Sequence, residues 1–351
     1  MTTTAEPVRS APGSQASGAR SLIDKMFKVR ELAVLAVLVV MLGATQIYNG
    51  EFLSEQGIKD LLLNATILAL VATGQAVVVI TRNVDLSVGS VLGISAFAAG
   101  NYLNGGGSPL VAVLLAGALG ALFGLLNGAL VSLGKVPALV VTLGTLYIIR
   151  GINSIWVGSR QVTADALPKG FVGFGHDGIR AVPYLALLAL VVLLAVGYYL
   201  RSYRSGRDLY ALGSSPEAAR LAGVPVRGRI MTAYVLCGAL AGLAGALYLA
   251  RFGNVDSATG NGYELTVVSA VVVGGVAFTG GSGSVYGAAL GAVLLTSINS
   301  VLPAIGVSSV WVTAINGFLL LLAIAVDRIL ALRVAAGLRK KAAQMRSARH
   351  D

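Results

Sequence analysis

The chain is built around apolar runs long enough to cross a lipid bilayer. Residues 32–47, 110–133 and 184–200, and 318–326 with its flanks, approach or exceed the ~20 residues a helix needs to span a ~30 Å hydrocarbon core. Only 12% of the 351 residues are charged. A soluble fold of this length could not cover so much apolar sequence with polar surface. In lipid each span must satisfy its own backbone hydrogen bonds, which favours helices. The expected fold class is all-α: a polytopic membrane protein with about ten transmembrane helices, some of them short or broken.

Spans are expected at about 31–48, 61–81, 86–104, 109–133, 137–155, 181–200, 230–250, 263–279, 284–303 and 308–327. Turn-forming runs support the breaks: Asn49-Gly50 after the first span, residues 104–109 before the fourth, and 279–283 between the eighth and ninth. Residues 1–28 are polar, with Pro, Gly and Ser, and are expected to form a disordered cytosolic tail. The membrane domain then covers 29–328, interrupted by a large polar loop at 201–229. Residues 329–351 form a basic cytosolic tail.

Lys and Arg near span ends mark the cytosolic side. With the N-terminus inside, that side holds 20 of the 26 basic residues and eight of the 15 acids, a net charge of +12. The other side holds six basic and seven acidic residues, a net charge of −1. Both termini are then cytosolic. The formal net charge of +11 is thus a matter of topology and requires no nucleic-acid partner. The 339–341 basic run can touch anionic lipid or remain a solvated tail.

Catalytic signatures are missing. The only Cys, Cys237, sits in an apolar run, and His176 and His350 are isolated, so no metal site is expected. The closest approach to a phosphate-binding loop, 128–135, has the wrong glycine spacing and lacks the Ser/Thr. The chain should neither hydrolyse ATP nor form a covalent intermediate.

Polar residues within spans are costly and face a path or another helix. Gln75, Asn127, Thr142, Thr145, Asn299, Thr313 and Asn316 are candidates for a solute pathway or for interhelical hydrogen bonds. All are uncharged, which suits a neutral hydrogen-bonding solute such as a sugar better than an ion. The run 82–90 contains Asn83, Asp85 and Ser87. It is either a capped turn, with Arg82 neutralising Asp85, or a broken helix with a gating role. Glu264 begins the eighth span and is expected at the outer rim.

Glycines recur at four-residue spacing at 120/124/128, 238/242 and 283/287/291, a pattern that lets helix backbones approach closely. Residues 76–93 and 270–287 also align without gaps, sharing Ala-Val-Val-Val and Gly-Ser-Val. They are either an internal repeat of broken helices or a chance match.

The 201–229 loop carries six Arg and a complete short-helix signature at 215–223. Ser215, or Ser214 in its place, can cap; Pro216 suits the first helical position; Glu217 faces the positive helix end. Gly223 supplies the left-handed stop and Pro225 forbids continuation. So short a helix is marginal alone in water. Ala218, Ala219, Leu221 and Ala222 therefore call for a partner surface.

The 213–226 segment, Gly-Ser-Ser-Pro-Glu-Ala-Ala-Arg-Leu-Ala-Gly-Val-Pro-Val, resembles the cytoplasmic loop of ribose-type ATP-binding-cassette (ABC) importer permeases. The 85–90 run, Asn127-Gly128, the 136–145 run, the 262–265 run and the Gly-Gly pairs at 274–275 and 280–281 resemble that family in the same order, while Ala138 departs from its common pattern. Residues 80–85 resemble its rhamnose-type members. The resemblance implies a permease in a bacterial cytoplasmic membrane that imports a monosaccharide, ribose-like or rhamnose. It implies a second permease copy or close paralogue, a cytosolic ATPase carrying ATP and Mg, and an extracytoplasmic sugar-binding protein, with no cofactor on this chain. Residues Ser215, Glu217, Ala218, Ala219, Arg220, Leu221, Ala222 and Gly223 would then couple to the ATPase. The competing function is a secondary transporter or channel for a small neutral solute.

Overall fold

A computed structural model describes residues 15–308 together with 311, 312, 314–319, 321, 322, 325 and 329; of residues 15–30 only the backbone is considered. Thr313 and part of the expected 308–327 span lie outside this set, as does the 329–351 tail apart from residue 329. The helices are α1 (Gln15–Tyr48), α2 (Glu55–Ile80), α3 (Val88–Asn104), α4 (Pro109–Ser132), α5 (Ala138–Val157), α6 (Lys169–His176), α7 (Tyr184–Ser202), α8 (Arg204–Ser214), α9 (Pro216–Leu221), α10 (Val226–Phe252), α11 (Tyr263–Val273) and α12 (Val285–Ala304). The described residues from 311 to 329 are also helical. A two-stranded hairpin, β1 (Gly178–Ile179) with β2 (Val182–Pro183), precedes α7.

Among the described residues, seven helices are long and apolar enough to cross a membrane. The first begins well before its expected start. Backbone helix extends back to Gln15, into the segment read as a disordered tail, because 19–42 contains neither Gly nor Pro to stop it. Helix α2 is the axis of the bundle: it is apolar all round and buried almost continuously from Leu63 to Ile80. Helices α10, α12, α7 and α11 pack round it, whereas α1, α4 and α5 expose most of their apolar surface, as lipid-facing helices do.

Two of the ten expected spans are short. The expected 86–104 span is α3, with 17 residues, and the expected 263–279 span is α11, with 11. Helix α11 stops at Gly274, which packs on the Gly287 backbone, because positive φ at Gly275 (+97°), Gly280 (+77°), Gly281 (+74°) and Gly283 (+122°) bars helix beyond it.

Their neighbours fix the depth of these short helices. Gly245 of α10 packs on the backbone of Leu92 and Ala96, and Gly100 lies beside Leu249, so α3 runs beside only the second half of α10. The hydroxyl of Tyr234, in the first half of α10, reaches the Val84 carbonyl at 3.2 Å. Residues 81–87 therefore turn back into the bundle from the end of α2, and α3 starts partway across. From the opposite end, Val255 pairs with Val162 through two backbone hydrogen bonds of 3.0 Å. The following residues descend along α3, until Thr259 and Gly260 lie on the backbones of Gly93 and Gly89. Helix α11 begins there and runs towards the α9 end. The N-termini of two half-helices thus meet inside the bundle.

The glycine periodicity marks close packing. Gly120 and Gly238 abut each other's carbonyls, Gly242 lies on Ala116, Gly124 on Tyr234, and Gly291 on the Ala270 carbonyl. Any β-carbon at Gly120 or Gly238 would collide with facing backbone, which cannot yield as a flexible side chain can. Gly238→Val is expected to weaken the bundle by ~1–3 kcal/mol or more. Denaturant titration of the purified protein in detergent checks this, with Gly144→Ala, where a β-carbon meets open space, as the unaffected control.

Candidate translocation site and coupling surface

The re-entrant segment 83–87 is non-helical backbone inside a helical bundle, so its polar groups need partners. Gln75 of α2 supplies two. Its side-chain amide donates to the Asp85 carbonyl at 3.1 Å and accepts from the Asp85 N–H at 3.2 Å, pairing like a strand. The Val84 carbonyl accepts from the Tyr234 hydroxyl and, at 3.4 Å, from Thr142 of α5. Asp85 Oδ1 accepts from the Ser87 N–H at 2.8 Å and its hydroxyl at 2.6 Å. Asn127 of α4 donates to the Ser87 hydroxyl at 2.9 Å and lies 3.4 Å from Asp85 Oδ1.

This arrangement differs from the capped turn. Neither Asp85 nor Ser87 caps α3 with its side chain, and Arg82 does not pair with Asp85. Arg82 forms the reversal itself, at φ +64°, a left-handed conformation that costs a side-chain-bearing residue about 1–3 kcal/mol. Its guanidinium turns outward to the Ser214 carbonyl, 2.7 Å away. Asn83 braces the turn by donating to the Thr81 carbonyl and hydroxyl at 2.9 and 3.0 Å.

The uncharged candidates separate into two groups. Gln75, Asn127 and Thr142 are buried; Gln75 and Asn127 spend their donors on 84–87, Thr142 divides its hydroxyl between the Ala138 carbonyl of its own helix at 2.9 Å and Val84, and Thr145 donates to the Thr142 carbonyl. Asn299 and Asn316 line a cavity of about 610 Å³ between α2, α11, α12 and the helical residues at 316–317. They are joined there by a 3.4 Å hydrogen bond. Asn64, Asn261, Thr266, Ser269, Thr296 and Ser300 complete its polar lining, with Phe252, Tyr263, Leu68 and Leu265 as apolar surface. Among the described residues no charged side chain lines it, and its size falls in the roughly 300–1,000 Å³ range of small-molecule sites. Sequence reading missed Asn64, Thr296 and Ser300. The signal was present: 296, 299 and 300 share one helix face.

Glu264 is not at an outer rim. It stands where the two half-helices meet, its carboxylate beside Gly89 in the first turn of α3, and it pairs with Arg150 of α5 at 3.4 Å. Helix N-termini favour such a carboxylate. At the opposite end of the bundle from α9, Asp60 and Arg251 pair at 2.9 Å.

The polar loop folds into two helices rather than one. Helix α8 was not foreseen; it buries Gly206, Leu209, Leu212 and Gly213 on one face. Asp208 and Arg229 form a largely buried 2.9 Å ion pair that ties α8 to the first turn of α10. Burial pushes the Tyr210 hydroxyl up to about 12, so it remains a donor to the Gly283 carbonyl at 3.1 Å. Helix α9 spans six residues, Pro216–Leu221, shorter than the whole 215–223 segment. Ser215 caps it, accepting from the Ala218 N–H at 3.4 Å, and Gly223 terminates it at φ +79°. Ala219 is buried against the bundle. Glu217, Ala218, Arg220, Ala222 and Gly223 are exposed, as is Leu221 at 81%. Glu217 and Arg220 pair on the exposed face at 3.7 Å.

A multi-span bundle with two half-helices, a neutral polar cavity and an exposed short helix at one end defines a membrane transport subunit. The chain belongs to the family described as branched-chain amino acid transport system / permease component, matched over residues 57–324. It is similar to the autoinducer 2 import system permease protein LsrC of Enterobacter sp. (strain 638), 37% identical over 302 residues that cover 86% of this chain and 88% of that protein. LsrC of Salmonella typhi is 37% identical over 290 residues, 83% of this chain and 82% of that one. LsrC of Escherichia coli (strain K12 / DH10B) is 35% identical over 298 residues, 85% and 86% of the two chains. No solved structure matches the chain. The protein is a multi-pass membrane permease.

Gln75→Leu would leave the N–H and carbonyl of Asp85 unpaired, at about 1–3 kcal/mol for each buried group. Hydrogen exchange of the 83–87 amides should accelerate and the thermal midpoint should fall, while Asn64→Leu, at the cavity wall, leaves that exchange unchanged.

Proposed function

We propose that the chain is the membrane-spanning subunit of an ABC importer that carries a small neutral hydroxylated solute, of the sugar class, across the bacterial cytoplasmic membrane. The cavity carries this reading. Its amides and hydroxyls offer both donors and acceptors to ring and chain hydroxyls, and its described lining residues present no charge to hold an ion. The curated relatives named above are permeases of autoinducer 2 import systems, which supports import as the direction. A ribose-like or rhamnose-like monosaccharide and autoinducer 2 are the solutes to test.

The charge distribution supports a cytosolic location for the α9 end and for both termini. Exposed α9 is then the docking element for an ATPase, which binds ATP and Mg on its own chain, and a solute-binding protein delivers from the other side. Gln75, Asn127 and Thr142 shape the pathway by holding the 83–87 segment, Asn83, Asp85 and Ser87 form the gating turn, and Thr145 lies behind it. A second permease copy or a close paralogue completes the path. Asn261 and Gly262 are exposed, non-helical and inside the bundle depth, where backbone is tolerated only against protein or water.

Vesicles containing the chain, its ATPase and its binding protein should accumulate one of ribose, rhamnose or autoinducer 2 only when ATP is supplied. Asn299→Leu combined with Asn316→Leu should cut uptake at least about tenfold, a loss of about 1.4 kcal/mol, with ATPase docking intact. Glu217→Arg should abolish co-purification of the ATPase. Uptake by the chain alone, down a solute or ion gradient, would overturn the ATP-driven reading in favour of a secondary transporter or channel.

A further inference from the structure

The two segments that interrupt the spans meet α8 at a single junction. The Gly281 N–H donates to the Ile80 carbonyl at 2.8 Å, joining the end of α2 to segment 274–284. Arg82 Nη2 donates to the Ser214 carbonyl at 2.7 Å, joining segment 81–87 to the last residue of α8. The Tyr210 hydroxyl donates to the Gly283 carbonyl at 3.1 Å, joining α8 to segment 274–284. These three bonds close a triangle between remote parts of the chain, with Arg82 and Ser214 132 residues apart and Tyr210 and Gly283 73 apart.

The junction has no slack at its centre. A β-carbon on Gly213 would collide with the Ile80 carbonyl and the Gly281 amide, and one on Gly281 would meet the Ser214 amide at 2.6 Å. Gly280 lies against the Arg82 side chain. Only Ser215 separates α8 from α9, and the Asp208–Arg229 pair keeps α8 from sliding along α10. Each interrupted segment leads from this point to a half-helix. Residues 81–87 enter α3 through Asp85 and Ser87. Segment 274–284 continues back into α11, whose Thr266 and Ser269 form part of the cavity wall.

We propose that this junction is the latch through which displacement of α9 reaches α3 and α11, with Arg82 as the positioning residue that ties the gating turn to α8. The proposal rests on the reading of the chain as an ATPase-driven permease. A load on α9 moves α8 as one body. Arg82 and Tyr210 then draw both interrupted segments together, and the two half-helices shift against each other where Gly89, Gly260 and Glu264 meet. Without Arg82, α9 can still be gripped, but segment 81–87 no longer follows.

Spin labels on Leu265→Cys of α11 and Leu114→Cys of α4, both exposed, test this in a Cys237→Ala background. The complex with the ATPase is reconstituted in vesicles, and the label distance is read with and without ATP. The parent should show an ATP-dependent shift of about 2–5 Å, the scale of helix displacements in switching proteins. Arg82→Ala should lose that shift while ATPase docking and hydrolysis stay within about twofold, a difference under ~0.5 kcal/mol. Arg82→Lys, which can still donate to the Ser214 carbonyl, should restore it. An Arg82→Ala complex that shifts like the parent overturns the latch. If Arg82→Ala does not assemble, Tyr210→Phe decides: a reduced shift in an assembled complex supports the latch, and a normal shift or failed assembly refutes it. A parent chain that binds no ATPase would refute the importer reading instead, and is recognised before any variant is made.

Discussion

The fold depends on the pairing of one side chain with one backbone unit. Gln75 offers its amide to the N–H and carbonyl of Asp85, as a neighbouring strand would. Non-helical backbone inside an apolar bundle carries a penalty at every unpaired group. Gln75, Tyr234, Thr142 and the Asp85 carboxylate pair backbone groups of residues 84–87, and Asn127 holds the side chains of Ser87 and Asp85 in place. Only then can α3 begin partway across the bundle rather than at its edge.

The start of α3 partway across creates the space that the rest of the site uses. Segment 253–262 can descend from the other end and lay Gly260 on Gly89 because neither glycine carries a β-carbon. Helix α11 then starts beside α3, and α11 with the loop before it walls a polar cavity against α2 and α12. Glu264 belongs to the same construction: its carboxylate faces the first turn of α3 and is balanced by Arg150. The glycine contacts between α10 and α4 hold the frame close enough for Asn127 and Tyr234 to reach segment 83–87 from either side.

Much of this was legible in the sequence where the physics is local. The α9 boundaries follow from Ser215, Pro216 and Gly223, each acting within four residues of itself, and the structure places cap and stop at those residues. Helix α8 escaped notice because charged residues hide its buried face of Gly206, Leu209, Leu212 and Gly213. Glu264 was misplaced because hydropathy treats 263–279 as one span, whereas Gly274 and Gly275 end it early. The glycine spacing indicated close helix contact, but not that Gly120 faces Gly238.

By itself the sequence determined the membrane class, the approximate positions of most spans, the charge asymmetry between the two ends and the short capped helix. Composition and interactions a few residues apart suffice for these. Only the tertiary structure decided which amides serve the scaffold and which the cavity. Gln75, Asn127, Asn299 and Asn316 look alike as polar residues in apolar runs. Their roles are set by partners remote in the chain: Asn127 meets Asp85 across 42 residues, and Tyr234 meets Val84 across 150. Such pairings exist only once the helices have packed, because an amide in lipid takes whichever partner the fold brings to it.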